Sequence, residues 1–314
     1  MVEIMTFQCQ HEVSPMAGGQ LGRLLSRTGV SIGKISAGLT GASNEDICLN
    51  QEMSLFRVSA LSCDIEITVE RVPQLHSLAT RRYFDSGGLW AVHEDGDGLA
   101  FDFTTPVFGA DPYKRLRVDR QFRRASIFVN RQYFPDDTCL YPLEYPLDEL
   151  LITHRLACEK GVEVHACGLV DSERGGFLFL GHSTAGKSTT TRLWKSLRRV
   201  TVLSDDRIIV RRHGGQTRMY GTPWHGEAAF ASPAEAAINR IFVIEHGPEN
   251  RITLLPKSRA VAEIFARCFV PFYSNDYLEA TLAFLNDLAD SVPCYRYRFL
   301  PEPSAVEKVL NFDD

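Results

Sequence analysis

Eight residues limit the folds open to this chain more than any others: Gly181-His182-Ser183-Thr184-Ala185-Gly186-Lys187-Ser188. They lie between a short apolar run, Phe177-Leu-Phe-Leu, and a stretch of helical periodicity over 187–199 with Leu193, Trp194 and Leu197 expected inward. The eight match G-x-x-x-x-G-K-[ST], the phosphate-loop pattern, at every fixed position. Each position has a physical reason. Glycines let backbone amides approach phosphate oxygens with no Cβ in the way. Those amides curl into a nest, and the following helix adds its positive N-terminal end. The Lys187 ammonium neutralises the outer phosphates as a point charge, and the Ser188 hydroxyl coordinates Mg²⁺. The stretch through Thr189 is therefore read as the nucleotide-binding loop.

Such a loop needs an acid nearby to hold the metal directly or through water. One candidate follows it: the apolar run Val200-Thr-Val-Leu ends in Ser204-Asp205-Asp206. Two neighbouring carboxylates allow a division of labour, one at the metal and one accepting a hydroxyl proton. Hairpin signals flank both features. Residues 162–170 and 177–180 are strand-like about the turn Asp171-Ser-Glu-Arg-Gly-Gly, and 207–212 and 217–220 about His213-Gly-Gly-Gln. A parallel α/β sheet would run from its acidic strand into a loop and helix. The expectation is an α/β fold with a mixed, largely antiparallel sheet.

The rest of the chain sets the domain organisation. Residues 1–50, with seven glycines and no sustained period, read as a flexible extension with one short helix around 21–25. Residues 51–145 read as a β-rich accessory domain. There Asp64-Ile-Glu-Ile-Thr-Val-Glu alternates with period two, and Glu94-Asp-Gly-Asp-Gly separates two strands. Pro142 and Pro146 mark its end. Residues 146–314 form the nucleotide-binding domain. It opens with a helix that carries His154 on its packed face, and has further helices over 260–269 and 277–289, a strand over 292–300 and a capping box at Ser304-Ala-Val-Glu307. The basic set Arg207, Arg211, Arg212 and Arg218 reads as the wet face of a hairpin, with attraction of an acidic acceptor peptide as the alternative.

Composition narrows the classes. Hydrophobic residues at 44% and charged residues at 23% are those of a globular chain, and a net charge of -5 offers no broad basic field for nucleic acid. No apolar run reaches the roughly 18–20 residues of a membrane helix, and the first residues show no secretory pattern. A cytoplasmic chain without nucleic-acid or membrane partner is expected. None of the eight cysteines forms a Cys-x-x-Cys pair, so a zinc site is not expected and they read as small buried hydrophobes.

Four segments together resemble one family. They are Val162-Glu-Val-His165-Ala-Cys-Gly-Leu-Val, the loop through Thr190, Val202-Leu-Ser-Asp-Asp-Arg-Ile-Ile-Val, and Tyr220-Gly-Thr-Pro-Trp-His-Gly-Glu227. Over residues 146–312 they resemble the HPr kinase/phosphorylase and phosphoenolpyruvate carboxykinase superfamily, and more narrowly the bacterial HPr-kinase-related proteins. The resemblance implies a Mg²⁺–ATP-dependent kinase that moves the γ-phosphoryl group to a hydroxyl. The acceptor would be Ser or Thr of a protein or peptide; a small-molecule kinase, or an ATP-binding regulatory protein with little turnover, are the alternatives. It also implies that His165 orients the transfer site, that Asp205 is the base, and that Asp206 binds Mg²⁺ beside Ser188. Glu227 would be a further metal-side acid and Arg267 would steady the γ-phosphate. Members of the HPr kinase type form hexamers, so a homo-oligomer is implied too. HPr itself is not carried over as acceptor, because the loop, the 220–227 segment and the N-terminal region depart from that family's.

Overall fold

In the computed structural model, residues 27–42, 46–60, 62–136 and 138–312 are described. The short helix expected around 21–25 lies outside them. The chain divides into two compact units between Leu151 and Ile152, apart from Ile32–Lys34, which group with the second. Each unit is built on one extended system of strands.

The first unit begins earlier than the sequence suggests. Arg27–Ile32 (β1) and Ile35–Gly41 (β2) are strands, so that much of the expected flexible extension is sheet. After the four-residue helix Gln51–Ser54 (α1) come Arg57–Val58 (β3), Ile65–Val72 (β4), Arg82–Asp85 (β5), Trp90–Asp95 (β6), Gly98–Thr105 (β7), Gly109–Val118 (β8) and Arg124–Asn130 (β9). They form a nine-stranded sheet in the order β3-β1-β2-β4-β9-β8-β7-β6-β5, with β4 parallel to both of its neighbours. The period-two text of β4 is realised directly: Ile65, Ile67, Val69 and Arg71 are buried, and the residues between the first four are exposed.

The second unit takes its shape from two long strands. Leu147–Cys158 (α2) leads into Gly161–Asp171 (β10), followed by Gly175–Leu180 (β11), Lys187–Leu197 (α3), Val200–Ser204 (β12), Arg207–His213 (β13), Gln216–Tyr220 (β14), Glu235–His246 (β15), Arg251–Leu254 (β16), Lys257–Phe265 (α4), Cys268–Phe269 (β17), Asn275–Ser291 (α5), Cys294–Phe299 (β18) and Pro303–Leu310 (α6). The sheets are mixed. Strand β10 is antiparallel to β11, β12, β13 and β17, whereas β11, β15 and β18 run parallel side by side. Along its first half β10 pairs with β13 and β17; along its second half it pairs with β12 and β11. The change falls at His165 and Ala166.

The parallel trio carries a core on each face. One joins Val164, Leu178, Leu180 and Val243 to Ala260 and Ile264 of α4 and Phe284, Leu285 and Leu288 of α5. The other joins Phe177, Phe179, Phe242 and Phe299 to Trp194 of α3 and Val306 and Val309 of α6. Three local expectations change. The helix expected over 260–269 ends at Phe265, because Cys268 and Phe269 pair with Val164 and Glu163 on the edge of β10. The last helix starts at Pro303, capped at Glu302 rather than at Ser304. Leu197, expected inward, is exposed. His154 is buried as expected, with Nε2 2.5 Å from the Tyr273 hydroxyl.

Trp194 is 1% exposed, with its ring 5.2 Å from that of Phe177 and 5.9 Å from that of Phe179. Trp194→Ala is expected to cost about 3–5 kcal/mol through the cavity it leaves. Leu197→Ala, on the same helix, should stay within about 0.5 kcal/mol of wild type. Urea unfolding followed by circular dichroism compares the two.

Candidate active site

The Gly181–Ser188 loop leaves the carboxyl end of β11 and enters α3. Gly186 stands at the N-cap of α3 in the left-handed region, φ 101°, and no side chain caps the helix. The first-turn amides are thus left without a side-chain acceptor, the arrangement that favours an anion at a helix start. A Cβ at Gly186 would lie 2.6 Å from Phe299 Cζ, so the turn is closed to any larger residue. Thr184 also has positive φ, 68°. His182, Ser183 and Thr184 are exposed; Ala185, Ser188 and Thr189 are half-buried.

Lys187 is buried beneath this loop. Its Nζ donates to the Gly181 carbonyl (3.1 Å) and the His182 carbonyl (3.3 Å), lies 2.7 Å from His165 Nε2, and reaches 3.8 Å from Asp206 Oδ1. His165 comes from β10 at the point where the strand changes partners. Its backbone N–H donates to the Arg267 carbonyl, its carbonyl accepts from Gly181 N–H, and the next amide, Ala166, donates to the Asp206 carbonyl. The imidazole is thereby fixed among the start of the loop, the acidic pair and the residue preceding β17.

His165 Nε2 is also 2.8 Å from Asp206 Oδ1. One ring nitrogen cannot accept from the ammonium and donate to the carboxylate at once, so its proton decides which partner it serves. Burial lowers the basicity of His165, the Asp206 hydrogen bond opposes that, and Lys187 adds to the lowering. Burial likewise pulls Lys187 down, against the attraction of Asp206. Burial alone would raise the Asp206 carboxyl, but His165, Arg207 and Lys187 together hold it well below the usual carboxylate range. Arg207 donates from Nε to Asp206 Oδ2 (3.2 Å) and stacks 3.7 Å from the centre of the Phe269 ring.

The two aspartates diverge. Asp205, 1% exposed, accepts three backbone amides: Gly226 (3.1 Å) and Phe230 (3.2 Å) on Oδ1, and Ala228 (2.9 Å) on Oδ2. Its carboxylate is committed to folding the 226–230 turn. Asp205, expected as the base, is thus engaged by the turn, and Asp206 is the acid that meets Lys187 and His165. Glu227 lies on the same turn and is exposed, with no hydrogen bond or ion pair among the described residues. Among the described residues no group of three or more His, Cys, Asp or Glu stands together as a metal cluster. The Ser188 hydroxyl at the start of α3 is a hard oxygen donor of the kind Mg²⁺ takes alongside water and phosphate oxygens, so the loop fits that ion without such a cluster.

Arg267, expected near the γ-phosphate, is buried and bonded through Nη1 to the Glu263 carboxylate (2.8 Å) and carbonyl (2.7 Å). The basic set is largely neutralised: Arg207 by Asp206, Arg211 by Glu159 and Arg218 by Glu235. Sequence reasoning missed Phe269, hidden in an expected helix, and Arg207 as a site residue, whose one signal was adjacency to Asp206. No protein-family model matches the chain, and a search of the curated proteins finds no match.

Asp205→Ala would leave three turn amides without their charged acceptor, at an expected cost of about 3 kcal/mol or more. Asp206→Asn, on a half-exposed residue, should cost less than half of that. Thermal unfolding of both variants checks the order; equal losses would mean that the two acids are not divided between turn and loop.

Proposed function

We propose that the second unit is a Mg²⁺–ATP-dependent kinase of the HPr-kinase-related type, with a phosphate-loop core, acting on the hydroxyl of a protein or peptide. The observation that carries this reading is the meeting of Lys187, His165 and Asp206 under a loop whose helix start has no side-chain cap. Residues 181–189 would cradle the triphosphate through backbone amides, and Lys187 would exchange its loop carbonyls for phosphate oxygens. Ser188 would hold Mg²⁺, which supplies charge neutralisation on the phosphates when bound.

Phosphoryl transfer passes through a loose transition state, so positioning and electrostatics do most of the work. Asp206 takes the acceptor's proton, with His165 orienting its Oδ1 and Arg207 its Oδ2. Its weak basicity suits a proton that leaves late, when the new O–P bond has already made the hydroxyl acidic. Asp205 acts at one remove by holding the 226–230 turn, whose Gly226 packs so closely that a Cβ there would come 3.0 Å from Asp205 Oδ2. Among the described residues no helix is long and apolar enough to cross a membrane.

The test uses the full chain with Mg²⁺ and ATP labelled on its γ-phosphate, in an extract of the source cells. Lys187→Ala is expected to weaken nucleotide binding and to lower transfer about 10²–10³-fold. Asp206→Asn should bind nucleotide yet lose transfer about 10²–10⁴-fold. Tight nucleotide binding by wild type with no labelled acceptor would favour a nucleotide-sensing regulator instead, a reading to which the engagement of Asp205 in the turn also lends itself.

A further inference from the structure

One charge cluster beside the loop is left over by this mechanism. Glu263 of α4 collects three guanidiniums. Its Oε1 is 2.8 Å from Arg259 and 2.8 Å from Arg296, and its Oε2 is 2.8 Å from Arg267. Three cations on one carboxylate leave a surplus of two positive charges. The Glu263 carboxyl reflects this: burial would raise it, yet the three arginines hold it below its ordinary value. Arg267, with a side chain 7% exposed, and Arg296, 31% exposed, each keep a buried Nε without an acceptor.

Its position is set by strand register. Leu180, the last residue before the loop, lies opposite Val243 of β15, and Val243 lies opposite Arg296 of β18. All three strands are parallel, so their side chains at this level share a face and Arg296 stands two strand spacings, roughly 10 Å, from the loop's start. Leu180 ends its strand, whereas Val243 and Arg296 lie three residues before the ends of theirs. Arg267 closes the gap: its carbonyl accepts the His165 amide at 2.7 Å, and its guanidinium, after burial, lowers the basicity of the loop's His182. Arg259, with a side chain 58% exposed, opens the cluster to solvent.

We propose that Arg259 and Arg296, backed by Arg267 on Glu263, form an oxyanion subsite that takes a carboxylate or phosphate group of the acceptor. The planar fork of arginine fits either group in a bidentate way. The acceptor is then an acidic one, carrying its anion roughly two strand spacings from the reacting hydroxyl's end of the sheet. Its assignment to the acceptor rests on the kinase reading; the binding of an anion does not.

The experiment titrates inorganic phosphate, and separately succinate, at constant ionic strength into the full chain saturated with Mg²⁺ and a non-hydrolysable ATP analogue, so that the loop is filled. One phosphate or one succinate per chain is expected, weakened about tenfold or more in Arg296→Gln and in Arg259→Gln. The exposed Arg259 makes the second variant safe for folding, and unchanged analogue affinity in both verifies it. Preference for phosphate or for succinate tells which anion the subsite suits. No binding by the saturated wild type, or equal binding by the variants, overturns the proposal. If the analogue itself does not bind, the phosphate-loop reading fails separately. The Lys187→Ala chain without nucleotide then reads the subsite alone, and phosphate binding there that Arg296→Gln removes still supports it.

Discussion

Every contact at the candidate site depends on the change of partners along β10. A strand eleven residues long cannot keep the same two neighbours when each of them is shorter, so the pairing has to be handed over somewhere. On one flank β13 gives way to β12, and the residues at the break are Asp205 and Asp206. On the other flank β17 gives way to β11, and the residues there are Arg267 and Gly181. Main-chain groups that ladder bonds would otherwise consume are aimed at these breaks, and His165 sits between them. The site is thus a by-product of sheet geometry: two interruptions at the same level place a cation, an imidazole and a carboxylate together with no long loop to order.

That geometry explains how far the sequence could be read. The loop and the helix after it were legible because all their determinants are local: glycines at two positions, a lysine, a buried strand before and a periodic helix after. The antiparallel pairing of β10 with β11 was legible for the same reason, through a short turn. Strand β17 was not legible. Cys268 and Phe269 continue a helical pattern, and only the exposed edge of β10, a hundred residues earlier, draws them out of it. The parallel trio β11-β15-β18 was equally hidden, since its strands are joined through long connections that leave no turn signal.

The first fifty residues show the opposite error. Glycine density reads as flexibility, yet part of this glycine is packing. A Cβ at Gly29 would come 3.0 Å from the Val58 carbonyl oxygen, and one at Gly38 would come 3.0 Å from Cys63 Sγ. Close approach between strands and looseness in a linker select the same residue, and composition alone does not separate them.

The acidic doublet makes the same point at the level of chemistry. Two adjacent carboxylates invite a shared role, but successive residues of an extended chain project to opposite sides. At a break between two strands one side is the turn that follows and the other is the neighbouring strand. Asp205 therefore meets three amides that need an acceptor, and Asp206 meets the cations gathered at His165. A carboxylate that already accepts three amides is largely committed to the turn, while one that faces Lys187, His165 and Arg207 keeps its charge among cations. Which of the two faces Lys187 and His165 is decided by where the chain crosses from β12 to β13, and an interchange of partners would require it to gain or lose a residue there.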